Sequence, residues 1–235
     1  MKRLTLLLMA ALAACSPAPE PEKPAITVHA DSALTEVFTR VGKEFEDSQG
    51  VRVKFVFGAS SALEKQLDGV DLYASASPDN MKYESKVFAL NRLVLAIGKD
   101  NPKNVRFSPE WNPQTTFAMC VEEAPCGAAA RLALANARFR EGTPAPKAVG
   151  QDVKETFAKL EAGEVDSAFV YATDVKPERG FFTVPVRVSD QPPAAAVLKF
   201  PVALLSGTPE AKKFYNFLFT AQARAALKDA GFELP

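Results

Sequence analysis

The chain has 235 residues, 47% of them hydrophobic and 24% charged, with 28 basic side chains against 28 acidic ones. That length supports one large domain or two small lobes with a real core, and the balanced charge, with no basic stripe, argues against nucleic acid as a partner. The one histidine, His29, argues against a His-based catalytic triad or a zinc enzyme.

Met1, Lys2 and Arg3 form a short basic start, and residues 4–12 are an apolar run too short to span a bilayer as a helix. The run ends in Leu12-Ala13-Ala14-Cys15, which resembles the lipobox of bacterial lipoproteins. The resemblance implies a signal peptide over residues 1–14, cleavage before Cys15 and a lipid on that cysteine; a plain secretory signal is the alternative. Residues 15–25, with Pro17, Pro19, Pro21 and Pro24, read as a tether between lipid and domain. The expected location is the cell envelope, periplasmic or on the outer face of the cytoplasmic membrane, held by that anchor alone.

Ile26, Val28 and Ala30 alternate with Thr27 and His29 as a first strand, and Asp31-Ser32 follows as a cap signal. Leu34, Val37, Phe38, Val41 and Phe45 recur at helical spacing until Gly50. Val51, Val53, Phe55 and Phe57 make a second strand that ends at Gly58-Ala59-Ser60-Ser61. A short helix then carries Leu63 and Leu67, and residues 70–75 make a third strand. Repeated β-loop-α units predict parallel strands flanked by helices. Residues 93–97 form an apolar strand expected to be buried on both faces. After the proline-rich break at residues 101–113, a second α/β series begins: a strand at 117–121, a helix opening near Gly127, a helix at 151–162 stopped by Gly163, and the strand that ends in Tyr171. Past Pro192-Pro193, residues 196–205 are strand-like, and helices at 209–219 and 221–230 finish the chain. The expectation is an α/β fold of two lobes, residues 26–92 with 200–235 and residues 93–199, hinged at two apolar crossover strands.

Ligands of such folds bind outside the carboxyl ends of the strands. Those ends carry Asp31, Ser32, Ser60, Ser61, the segment 121–127 and Tyr171, a set short in charge and rich in hydroxyl and backbone donors. Converging donors of this kind suit a small tetrahedral oxyanion. Taken singly, Ser32 and Ser60 read as ordinary helix caps, and Tyr171 as a core tyrosine bonded to some carbonyl. With Cys15 assigned to the lipid, Cys120 and Cys126 remain. In an oxidising compartment a local disulfide is expected, and a metal-thiolate pair is the competing reading.

Several stretches together resemble the periplasmic molybdate-binding proteins of bacterial ABC importers. They are Ile26-Thr27-Val28 with Leu34-Thr35, Phe57-Gly58-Ala59-Ser60-Ser61-Ala62-Leu63 and Asp71-Leu72-Tyr73-Ala74-Ser75-Ala76, then Pro125-Cys126-Gly127, Gly150-Gln151-Asp152-Val153 and Phe169-Val170-Tyr171-Ala172-Thr173-Asp174. The resemblance runs from residue 26 to about 234 and implies a type II periplasmic-binding fold. It also implies an oxyanion held by two serines, two backbone amides and a tyrosine hydroxyl. Ser60 matches the second serine, Cys126 and Val153 the amide donors, and Tyr171 the hydroxyl. The first serine departs from the pattern: Ala33 stands in register and Ser32 one place early, so either the Ser32 hydroxyl reaches the ligand or only the amides of Ser32 and Ala33 contribute. Asp31 is a second departure. It is expected to face solvent or to cap the turn, yet it could accept the proton of hydrogen phosphate.

The implied function is capture of molybdate, and of tungstate, for an ABC permease, by a monomer that closes around the anion without a cofactor or a protein-ligated metal. Phosphate or sulfate is the alternative ligand, and a transport-inactive sensor or adaptor the alternative role. An enzyme using Tyr171, Ser60 and Asp174 is a third reading, weakened because no base is paired to them in the sequence.

Overall fold

In a computed structural model of the chain, residues 23–186 and 197–235 are described. The signal segment, Cys15, most of the tether, Pro192, Pro193 and Ala196 lie outside the described residues. Strand β1 (Ala25–Asp31) leads through a 3-10 turn (Ser32–Leu34) into α1 (Thr35–Gln49). On α1 the side chains of Val37, Phe38, Val41 and Phe45 are buried on one stripe, as a 3.6-residue period requires. Gly50, at φ 67°, closes the helix in the left-handed conformation and donates its N–H to the Glu46 carbonyl. Strands β2 (Arg52–Gly58) and β3 (Leu72–Ala74) flank β1 in parallel, so Asp31, Gly58 and Ala74 share one end of this triplet. Between them α2 (Ser60–Leu63) is one turn long and does not reach Leu67; the chain turns again at Gly69, with φ 73°.

β4 (Ser85–Gly98) is 14 residues long and antiparallel to its neighbours. Its first half pairs with β9 (Val197–Leu204), which also pairs with β3, and its second half pairs with β7 (Ser167–Tyr171) and β8 (Phe181–Pro185). Residues 93–97 are buried, as an unbroken apolar run between two layers predicts. A second parallel triplet, β7, β5 (Phe117–Cys120) and β6 (Ala148–Gly150), completes the path β2-β1-β3-β9-β4-β7-β5-β6. Helices α3 (Pro125–Asn136) and α4 (Val153–Glu161) connect this triplet; α5 (Pro209–Phe217) and α6 (Ala221–Asp229) end the chain. Phe45 of α1 meets Phe214 and Phe217 of α5 edge to face, at centroid distances of 5.0 and 5.4 Å.

The two parallel triplets match the two α/β series expected from the sequence. The antiparallel share is larger than those units suggested, since β4, β8 and β9 all run against their neighbours. β6 and β8 were not expected as strands. β6 has three residues, too few for alternation to show, and β8 is a half-exposed strand closed by Pro185.

Candidate functional site

The carboxyl ends of the two triplets carry Asp31, Gly58 and Ala74 on one side and Cys120, Gly150 and Tyr171 on the other. The 3-10 turn after β1 packs against α4, which brings the two sets of ends together. Ser32 and Tyr171 meet this region with side chains 3% and 0% exposed. Neither the Ser32 Oγ nor the Tyr171 Oη has a hydrogen-bond partner among the described residues. Tyr171 is therefore not the carbonyl-bonded core tyrosine that its context alone suggested. Its ring packs edge to face on Phe200 at 5.7 Å, which fixes the direction of the hydroxyl. A buried hydroxyl without a partner is costly, and two in one region mark a place built to meet something polar.

The amide donors stand where helix geometry leaves N–H groups free. Cys126 is the second residue of α3 and Val153 the first of α4, and the first N–H groups of a helix have no intrahelical acceptor. Asp152 caps α4 by accepting the Glu155 N–H at 2.9 Å. Cys126 is bonded to Cys120 through a disulfide, which ties the first turn of α3 to the end of β5. The described residues hold no cluster of three His, Cys, Asp or Glu side chains that would bind a metal. Two glycines set the closeness of these turns. A Cβ on Gly127 would lie 1.9 Å from the Val121 carbonyl oxygen, and one on Gly150 would lie 2.4 Å from Thr156 Oγ1 and 2.5 Å from its nitrogen.

Ser60 is placed differently. Its hydroxyl donates to Asp31 Oδ2 at 2.5 Å and accepts the Ala76 N–H at 3.0 Å. Asp31 Oδ2 also accepts the Ser60 N–H at 3.2 Å, and Oδ1 accepts the Ala33 N–H at 3.1 Å. So the donors of Ser60 and Ala33 are held by Asp31. Of the two expectations for Asp31, the capping one holds, since it accepts the Ala33 N–H, and the solvent-facing one is corrected, since the residue is 3% exposed. Burial lifts its carboxyl to about 6 against the bonds from Ser60 and Ala33, with Asp174 adding to the rise. Tyr171 is pushed well above the usual phenol range by burial and then by the charges of Asp31 and Asp174.

A pairing that the sequence did not reveal lies beside these groups. Lys154 of α4 places its Nζ 2.8 Å from Asp174 Oδ1 and 2.9 Å from both carboxylate oxygens of Glu36 on α1. Burial lowers the tendency of Lys154 to stay charged, but Asp174 and Glu36 outweigh it and raise its pKa. Burial raises Asp174, and Lys154 opposes that rise. The only signal in the sequence was position: Lys154 directly follows Val153, and Asp174 lies three residues past Tyr171. A separate cleft of about 490 Å³, lined by Trp111, Phe139 and Arg140 among others, contains none of the Ser32, Ser60, Cys126, Val153 or Tyr171 side chains.

Two α/β halves joined through β4 and β9 define the type II periplasmic-binding fold. The profile of the family described as bacterial extracellular solute-binding protein matches residues 26–233, and the chain belongs to that family. The family's description names binding of a solute, not a reaction. The chain is 29% identical to the molybdate-binding protein ModA of Mycobacterium tuberculosis, over 99% of its own length and 96% of that protein. The periplasmic molybdate-binding protein of Azotobacter vinelandii superposes with a TM-score of 0.69 at 16% identity, covering 89% of this chain and 99% of that one. The sulfate-binding protein SubI of Mycobacterium tuberculosis superposes with a TM-score of 0.66 at 16% identity, over 90% and 87% of the two chains. No helix among the described residues is long and apolar enough to cross a membrane.

Proposed function

We propose that this protein captures molybdate, and tungstate with it, outside the cytoplasm and delivers the anion to an ABC permease. The observation that carries this reading is the pair of buried hydroxyls, Ser32 Oγ and Tyr171 Oη, that have no hydrogen-bond partner among the described residues. The N–H groups of Cys126 and Val153 complete a set of neutral donors, and each bond to an oxyanion contributes about 1.5–3 kcal/mol net. Ser60 and Ala33 join the set when Asp31 releases them. The similarity to the mycobacterial molybdate-binding protein over nearly the whole chain supports the choice of anion. Residues 26–92 with 200–235 and residues 93–199 act as the two closing units, with β4 and β9 as the hinge. A lipid on Cys15 holds the monomer at the membrane surface.

Isothermal titration calorimetry of the mature chain with molybdate, tungstate, sulfate and phosphate tests the reading. Tight binding of the first two and weak binding of sulfate is the expected result, and no heat with molybdate or tungstate would overturn it. A second reading is favoured by Asp31 alone: a carboxylate at the site suits an oxyanion that carries a proton, such as hydrogen phosphate, which can donate to it. Preference for phosphate over molybdate in the same titration would select that reading.

A further inference from the structure

Asp31 stands where an anion site tolerates it least. Its carboxylate holds the Ala33 N–H and both donors of Ser60, which an incoming oxyanion would otherwise use. Among the described residues no lysine or arginine pairs with it, whereas Asp174 has Lys154 at 2.8 Å. Asp31, Tyr171 and Asp174 are each buried, and the charges of both acids add to the rise of the Tyr171 hydroxyl. A second negative charge brought to the donors that Asp31 holds cannot sit beside it in the ionised form at ordinary cost.

We propose that oxyanion capture by this protein is coupled to one proton, the anion binding with Asp31 as the neutral carboxylic acid, which then donates a hydrogen bond to the anion. This inference rests on the oxyanion reading above and assigns Asp31 as the residue that sets the protonation state of the complex. The balance is simple: a proton from solvent joins the Asp31 carboxylate as a fully ionised anion such as molybdate enters. With hydrogen phosphate the anion brings the proton itself and no net uptake follows. Neutral Asp31 also loosens its hold on Ser60, whose hydroxyl becomes free to turn toward the anion.

The ligand-free protein is already poised for this step. Burial raises the carboxyl to about 6, so the ionised form prevails at pH 7 and more so at pH 8. The other ionisable groups around it are His29 on β1, Tyr73 on β3, Tyr171 and Asp174 after β7, Lys154 on α4 and Glu36 on α1. Burial lowers the pKa of His29 and raises those of both tyrosines. Lys154 and Glu36 are shifted so that both stay charged. That leaves Asp174 as the competing site for the proton.

Calorimetric titration of the mature chain with molybdate at about pH 6, 7 and 8, in paired buffers of different ionisation enthalpy, tests the proposal. The expected result is a Kd that rises about tenfold per pH unit above about pH 6, with about one proton taken up per anion at pH 8. Asp31→Asn should flatten that dependence, abolish the uptake and bind more tightly than wild type at pH 8. Unchanged Kd across the range with no proton exchange in the wild-type protein would overturn the proposal, and that measurement does not depend on how the variant folds. Proton uptake that persists in a folded Asp31→Asn would also overturn it, by placing the proton on Asp174. Failure of molybdate to bind at any pH is a separate outcome, which refutes the oxyanion reading and this inference with it.

Discussion

Replacing Tyr171 with phenylalanine removes one oxygen and leaves the ring packed on Phe200. In most buried tyrosines that change costs stability, because the lost hydroxyl had a partner. Here the Oη has no partner among the described residues and the side chain is 0% exposed. An unsatisfied buried polar group costs about 1–3 kcal/mol, so its removal should leave the ligand-free protein as stable as wild type or more stable by up to about 2 kcal/mol. For a domain of this size each kcal/mol moves Tm by about 2–4 °C. Binding should move the other way. The phenol is held protonated by burial and by nearby negative charge, so it acts as a donor. Losing a charge-assisted bond of about 1.5–3 kcal/mol weakens molybdate binding by about 10- to 150-fold. Differential scanning calorimetry without ligand and titration calorimetry with molybdate read the two effects separately. A variant that loses more than about 1 kcal/mol of ligand-free stability while keeping its affinity would refute the reasoning, because the hydroxyl would then be structural.

Four further outcomes follow from the same geometry. Asp31 is an acid whose pKa is raised on folding, from 3.8 to about 6, so the folded state binds the extra proton between those values. Its contribution therefore falls as pH rises from about 4 to about 6 and levels off above, by about 3 kcal/mol in all; urea titrations across that window should show the fall, and Asp31→Asn should lose it. Lys154→Met strands Asp174, whose side chain is 1% exposed, and should cost about 3 kcal/mol, most of it recovered in the double variant with Asp174→Asn by chemical denaturation. Gly127→Ala and Gly150→Ala place a Cβ against backbone at 1.9 and 2.5 Å, and each should lower stability by about 1–3 kcal/mol and shift the amide donors of Cys126 and Val153 enough to weaken anion binding, read by calorimetry. Reducing the Cys120–Cys126 bond opens a loop with a sequence separation of 6 and should cost about 2 kcal/mol, read as a lower Tm in dithiothreitol.

The sequence by itself determined most of the elements and which strand ends make up the candidate site. Local pattern did this: the helical stripe of Val37, Phe38, Val41 and Phe45, the glycine stops at Gly50 and Gly163, and strand ends that carry serine, cysteine or tyrosine are all written within a few residues of each other. The loop between Cys120 and Cys126 is local in the same sense, and the disulfide expected there is present. Pairing between distant segments was not legible, because strand direction depends on which partner a strand meets. That is why β4 and β9 emerged as antiparallel connectors and the short β6 escaped notice. The polar partners of the site are of the same kind. Asp31 looked like a surface cap because its local signal is that of a cap; the approach of Ser60, 29 residues away, and the packing of the following 3-10 turn on α4 bury it. The sequence placed a first serine out of register and a carboxylate beside it. The tertiary structure decided that the Ser32 hydroxyl is buried without a partner among the described residues and that Asp31 holds the donors of Ser60, since hydrogen bonds across the chain depend on distances that no local pattern encodes.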